Sequence, residues 1–442
     1  MIQLSDHFTY RRLLRFTLPS IVMMIFTSIY GVVDGFFVSN FVGKTPFTAV
    51  NFIMPFLMIL GAVGFMLGSG GSALISKTMG EGDSEKARVL FSLFVWVALG
   101  CGVIIAALGW IFVRPIAAAL GAEGELLDYC VRYARIVLLA LPPFILQFEF
   151  QSFFVTAEKP QLGLYTTVAA GVTNIVLDAL LVAVFQLGLE GAAAATAISQ
   201  AVGGILPLIY FSRPNSSSLR LVKCRFDGKS LSHACANGSS ELLSNVSMSL
   251  VSMLYNMQLM RYAGADGVAA YGVLMYVNFV FLSAFIGYSV GTAPIIGYHY
   301  GAGNHTELHS LMKKSLVIIG VFSGGMFLAA EALSRPLSMI FVSYDPALLE
   351  MTLRGFFIFS FSFLFAGMAI FGSSFFTALN NGLVSAVISF LRTLVFQMAA
   401  VLIFPLIWEV DGIWLSIVAA ELMAAVVTVI FLVAMRKKYQ YW

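Results

Sequence analysis

Long apolar runs, each near or above the ~20 residues that a membrane-crossing helix needs, alternate with short polar breaks along the whole chain. They fall near residues 13–40, 46–73, 87–113, 127–156, 160–185 and 190–212. After a basic stretch, six more follow near 233–262, 267–293, 310–333, 347–377, 383–406 and 410–435. Within each run the apolar residues are continuous rather than alternating with polar ones. The pattern therefore predicts helices, not the strands of a membrane barrel. Prolines inside the runs, Pro19, Pro55, Pro142, Pro143 and Pro207 among them, suit membrane helices that bend.

Composition agrees with this reading. Of 442 residues, 60% are hydrophobic and 11% charged, whereas roughly a quarter of a soluble domain is charged. The first run has full span length and follows a polar, basic start, so no cleavable leader is expected. Cys101, Cys130, Cys224 and Cys235 show no ligand-like spacing, so neither a metal site nor a disulfide framework is expected. There is no HExxH motif and no His well inside a span, which argues against an enzyme. Nothing points to a nucleic-acid partner.

Placing the first residue in the cytoplasm puts seventeen of the 25 Lys and Arg on that side and seven outside, with Arg392 inside a span. The positive-inside rule then predicts a multi-pass protein with both termini cytoplasmic.

The chain also repeats itself. Shifted by 221 residues, Gly80 and Gly82 fall on Gly301 and Gly303, and Arg114-Pro115 falls on Arg335-Pro336. Thr156-Ala157 falls on Thr377-Ala378, and Glu190-Gly191 meets Asp411-Gly412. One ungapped offset serving four loops predicts a duplication of six spans. The expected architecture is all-α, with twelve transmembrane helices in two bundles related by a pseudo-two-fold along the membrane normal. The expected domains are an N-terminal lobe 1–212, a cytoplasmic linker 213–232 and a C-terminal lobe 233–442.

Polar residues at membrane depth are functional candidates by default. Asn174 and Asp178 are one helical turn apart in the fifth span. Counting ~1.5 Å per residue, Asp34 in the first span, Asp178, and Thr196 in the sixth fall in one outer slab, with Asn174 a turn deeper. Asp34, Asn174, Asp178 and Thr196 are therefore expected to form one cluster, with hard oxygens for Na⁺ or carboxylates for a proton. At the 221 offset they map to Tyr255, Val395, Ala399 and Ile417, so the second lobe lacks the set. Glu149 and Glu241, with Tyr30 and Tyr255, are candidates for a substrate cavity. Arg392 and Glu421 are expected to form a structural ion pair in the C-lobe.

Several motifs resemble the multidrug and toxic compound extrusion (MATE) family over essentially the full length. They are Leu18-Pro19-Ser20, Tyr30-Gly31-Val32-Val33-Asp34, Gly70-Gly71-Ser72-Ala73, Met79-Gly80-Glu81-Gly82-Asp83 and Thr156-Ala157-Glu158-Lys159-Pro160. Asn174-x-x-x-Asp178 with Thr196 is similar to the N-lobe cation site of the family's prokaryotic branch. The resemblance implies a V-shaped pair of bundles in a bacterial cytoplasmic membrane. It implies export of amphipathic, mostly cationic drugs by alternating access, coupled to inward Na⁺ or H⁺ flow, by a monomer without cofactors. Family members with acidic residues in the C-lobe are matched here only by Glu241 in span seven. The competing expectation is a flippase for lipid-linked oligosaccharide or another amphiphile; a channel is the more distant one.

Overall fold

In the computed structural model, which describes residues 2–442, the chain is helical and those residues hold no strand. The first half holds α1 (Tyr10–Phe41), α2 (Lys44–Gly80), α3 (Ser84–Ala119), α4 (Gly124–Leu138), α5 (Leu141–Thr156), α6 (Pro160–Val184) and α7 (Gly188–Ser212). The second holds α8 (Gly228–Gly301), α9 (His305–Val342), α10 (Pro346–Ala378), α11 (Gly382–Ile403) and α12 (Pro405–Tyr439). Short polar side chains set the starts. Asp83 accepts from the Lys86 amide at 3.0 Å, and its counterpart Asn304 accepts from Glu307 at 3.1 Å.

Two expected spans take a different form. The run 127–156 is not one rod, because α4 and α5 meet at 61°. Pro142 and Pro143 stand in the first turn of α5, where a fixed φ and a missing N–H are tolerated. Neither proline could continue the preceding helix without loss of a hydrogen bond. By contrast, 233–262 and 267–293 join in α8, whose 74 residues would reach about 110 Å if straight. That far exceeds the ~30 Å hydrocarbon core. The chain instead folds back at Gly264 (φ 66°, ψ −156°), and Tyr255 stacks on Tyr271 with ring centroids 5.5 Å apart. Gly264 repeats Gly43, the left-handed turn between α1 and α2 (φ 130°). With α4–α5 taken as one span and α8 as two, the described residues hold twelve stretches long and apolar enough to cross a membrane.

The duplication extends to backbone detail. Left-handed residues recur at Gly82 and Gly303 and at Gly188 and Glu409, each pair at the 221 offset. Where α4 breaks from α5, α10 tightens into a 3₁₀ turn at Ser360–Ser362. Arg132 pairs with Glu190 at 2.8 Å, and Arg354 with Asp411 at 2.5 Å, between matching helices.

The halves meet at backbone distance toward the end that carries both termini. A Cβ on Gly70 would lie 1.9 Å from the Ala234 carbonyl oxygen, and one on Gly80 would lie 2.0 Å from that of Tyr298. α2 therefore crosses both arms of α8 with no side chain between them. The N-terminal segment seals the same end. The Leu4 amide donates to Glu158 at 2.7 Å, the Phe8 amide to Glu307 at 2.9 Å, and His7 Nδ1 contacts Glu307 at 2.6 Å. Leu4, Phe8, Leu13, Phe16 and Ile21 share a core with residues of the second half. Farther along, α1 buries only Asp34 and Val38 beyond Met23, and Met253, Met257 and Met260 on the first arm of α8 are exposed. The halves are closed at one end and splayed at the other.

Candidate functional site

α1 approaches α6 closely because Gly171 leaves room for it. A Cβ there would lie 2.4 Å from Phe26 and 3.1 Å from Tyr30. One turn on, Asn174 projects from the last regular turn of α6. At Asp178 the helix widens into a π-turn, Asp178–Val184. Such turns occur mostly as single bulges at functional sites, because they rotate a side chain out of its regular position. The next helix packs closely too: a Cβ on Gly191 of α7 would lie 3.0 Å from the Leu181 carbonyl oxygen.

These approaches bring the four expected residues together. Asp34 faces Asn174 and Asp178, and Tyr133 of α4 faces Thr196 and both carboxylates. All five are buried. Asp34 Oδ1, Asn174 Oδ1, both Asp178 carboxylate oxygens, Thr196 Oγ1 and the Tyr133 hydroxyl have no hydrogen-bond partner. Among the described residues, the side chains that act on the two carboxylates are each other and Asn174, none of them cationic. Buried polar atoms are ordinarily paired, and leaving one unpaired costs ~1–3 kcal/mol. If both were ionised, two carboxylates 4 Å apart would repel by about 4 kcal/mol at an effective dielectric near 20. The cluster's unpaired buried atoms are all oxygens, two of its members are carboxyls, and such a set is suited to accept one positive charge.

Tyr133, Gln147 and Gln200 were not anticipated from the sequence. Gln147 faces Tyr30, which in turn faces Asp34, and Gln200 has a buried, unpaired Oε1 one turn beyond Thr196 on α7. Tyr30 thus borders the cluster itself.

The other expected cavity residues divide. Glu149 is fully buried on α5 with both oxygens unpaired, its backbone pressed against Gly68 of α2. Tyr255 is also sealed, because it stacks on Tyr271 and donates its hydroxyl to Gln397 at 2.7 Å. Neither lines open space in this conformation. Only Glu241 is partly exposed, near Arg392. Arg392 sits on a second π-turn, Leu391–Val395, and holds Glu421 through Nε–Oε2 at 2.8 Å and Nη2–Oε1 at 3.0 Å. The pair is two-pronged, with side chains 15% and 6% exposed.

Comparison with known proteins bears on this arrangement. The chain is 29% identical over 368 residues to the multidrug export protein MepA of Staphylococcus haemolyticus (strain JCSC1435), covering 81% of this chain and 80% of that protein. It is 26% identical over 440 residues to MepA of Staphylococcus aureus (strain MRSA252), covering 97% and 94%. Its fold superposes with a TM-score of 0.93 on an outward-facing multidrug resistance MATE family transporter of the MOP superfamily, at 20% identity and 99% and 98% coverage. A MOP superfamily transporter from Pyrococcus furiosus Vc1 (DSM3638), whose reversed binding-pocket polarity is reported to suggest a different function, superposes at 0.90 with 20% identity, covering 98% and 97%. The family model MatE matches residues 19–180 and again residues 242–403, once in each half of the duplication. With most of its length matched in this way, the chain belongs to the MatE family of multi-pass membrane proteins.

Proposed function

We propose that the chain is a secondary active exporter of amphipathic, cationic compounds, driven by inward movement of Na⁺ or H⁺ through the Asp34–Asp178 cluster. The observation that carries this reading is two buried carboxylates set side by side among unpaired oxygens on α1, α4, α6 and α7. The Staphylococcus relatives are named as multidrug export proteins, which supports the substrate class. The Lys and Arg distribution supports a cytoplasmic closed end, so the splayed end faces outward.

On this reading an ion or proton entering from outside removes the repulsion between Asp34 and Asp178. α1 can then settle differently against α6, since beyond Met23 it buries only Asp34 and Val38. Because the start of α1 is packed into the second half, its movement is felt across the cleft. Return to the inward-open form would need release of Leu4 from Glu158 and of His7 and Phe8 from Glu307.

Pocket polarity separates this reading from a flippase for anionic, lipid-linked sugars. Such a substrate needs positive charge in the cavity, whereas Arg392 is bound to Glu421 and flanked by Glu241. The test is ethidium efflux from proteoliposomes under separately imposed Na⁺ and pH gradients, with wild type and Asp178→Asn. Efflux driven by one gradient and lost in the variant is expected. Folded wild-type protein that moves no ethidium under either gradient contradicts the proposal.

A further inference from the structure

The linker after α7 does not hang free. Arg88 Nε donates to the Ser218 carbonyl at 3.2 Å, the Val222 amide donates to Ser92 Oγ at 2.8 Å, and the Leu221 amide donates to the Phe211 carbonyl at 3.0 Å. Leu219 is fully buried. Pinned in this way, the linker and α3 enclose a groove of about 840 Å³. Leu93, Trp96 and Val97 of α3 form one wall; Leu221, Lys223 and Phe226 of the linker form the other. Trp96 is 49% exposed and Phe226 76% exposed. α3 crosses the membrane, so an apolar groove open along its outer face meets lipid.

The rim of this groove is basic. The stretch 213–229 carries Arg213, Arg220, Lys223, Arg225 and Lys229 against a single acid, Asp227. Asp227 is engaged elsewhere: it accepts from the amides of Lys229 and Ser230 and from the Ser230 hydroxyl, capping α8. Those hydrogen bonds hold its carboxyl below the usual carboxylate range, so it stays ionised at the helix start. Lys223, on the rim of the groove, is left to face an anion.

We propose that this groove binds an anionic phospholipid, with an acyl chain along Leu93, Trp96 and Val97 and the phosphate at Lys223. Juxtamembrane basic clusters attract anionic lipids, and aromatic side chains settle at the membrane interface. A zwitterionic lipid would fill the apolar wall but gain less from the basic rim.

The test uses the full chain in phosphatidylcholine nanodiscs containing brominated phosphatidylglycerol or, at the same mole fraction, brominated phosphatidylcholine. Quenching of Trp96 is read as the difference between wild type and Trp96→Phe, an exposed position whose variant is checked for monodispersity. Brominated phosphatidylglycerol is expected to quench this component several-fold more efficiently. Lys223→Gln is expected to remove the preference, and Lys437→Gln, at the far C-terminus, to keep it. Equal quenching by the two lipids overturns the proposal, as does a preference that survives Lys223→Gln or falls equally in both variants. Soluble glycerol phosphate that abolishes the preference would indicate a free-anion site and also overturns it.

Discussion

The two halves repeat the same helices and turns, yet they treat buried charge in opposite ways. In the first half, the π-turn of α6 presents Asp178 to Asp34, and both Asp178 oxygens and Asp34 Oδ1 lack partners. In the second, the π-turn of α11 presents Arg392, which Glu421 holds by two hydrogen bonds. Tyr255 stands where Asp34 would be, and its hydroxyl is bonded to Gln397. A satisfied pair resists change because breaking it leaves a buried charge alone. An unsatisfied one responds to whatever charge arrives. On the proposed function, one copy braces while the other senses, and the start of α1, packed into the second half, links them.

The largest effect that sharpens this contrast is expected at the carboxylates. Asp34→Asn or Asp178→Asn should lower ion-driven ethidium efflux on the order of 100-fold, because a buried charge interaction of several kcal/mol is lost. Variants that still transport at the wild-type rate would erase the distinction between the halves. Next comes the brace. Glu421→Gln should cost about 3–5 kcal/mol by stranding Arg392, and Arg392→Met combined with Glu421→Met should recover most of it. Thermal unfolding in detergent reads both, and an unchanged melting temperature in Glu421→Gln would remove the bracing role.

A smaller effect is expected where α1 meets α6. Gly171→Ala places a methyl against Phe26 and should cost about 1–3 kcal/mol of local packing. Efflux should fall several-fold and return in part with Phe26→Leu; no rescue would mean that contact does not position Asp34. The smallest effects belong to the matched surface pairs. Arg132→Ala and Arg354→Ala should each change stability by no more than ~1 kcal/mol, and by similar amounts. A large difference would mean that the halves diverge there too.

Much of this was legible in the sequence, for identifiable reasons. Span positions follow from apolar run length, and the 221 offset already pairs Gly82 with Gly303 in the sequence. Asp34, Asn174, Asp178 and Thr196 could be grouped because depth along a helix follows from residue count. Rotation about the helix axis does not, and that hid the rest. Tyr133 lies on α4, whose 61° bend from α5 shifts the face it presents. Gln147 and Gln200 are polar but uncharged, so they carry too weak a signal at membrane depth. Tyr255, a cavity candidate at the repeat position of Asp34, is buried here, because equivalence in a duplication fixes position and not exposure. The linker groove has no motif, since it depends on hydrogen bonds between segments about 130 residues apart.

The most direct test of the central claim, that one half alone carries the ion-linked site, is equilibrium binding of ethidium to the purified protein across Na⁺ concentration and across pH. Wild-type affinity is expected to depend on one of these ions, and Asp178→Asn to abolish that dependence. Arg392→Met combined with Glu421→Met is expected to leave it intact. Ion dependence that survives in Asp178→Asn, or disappears in the double variant, would contradict the account.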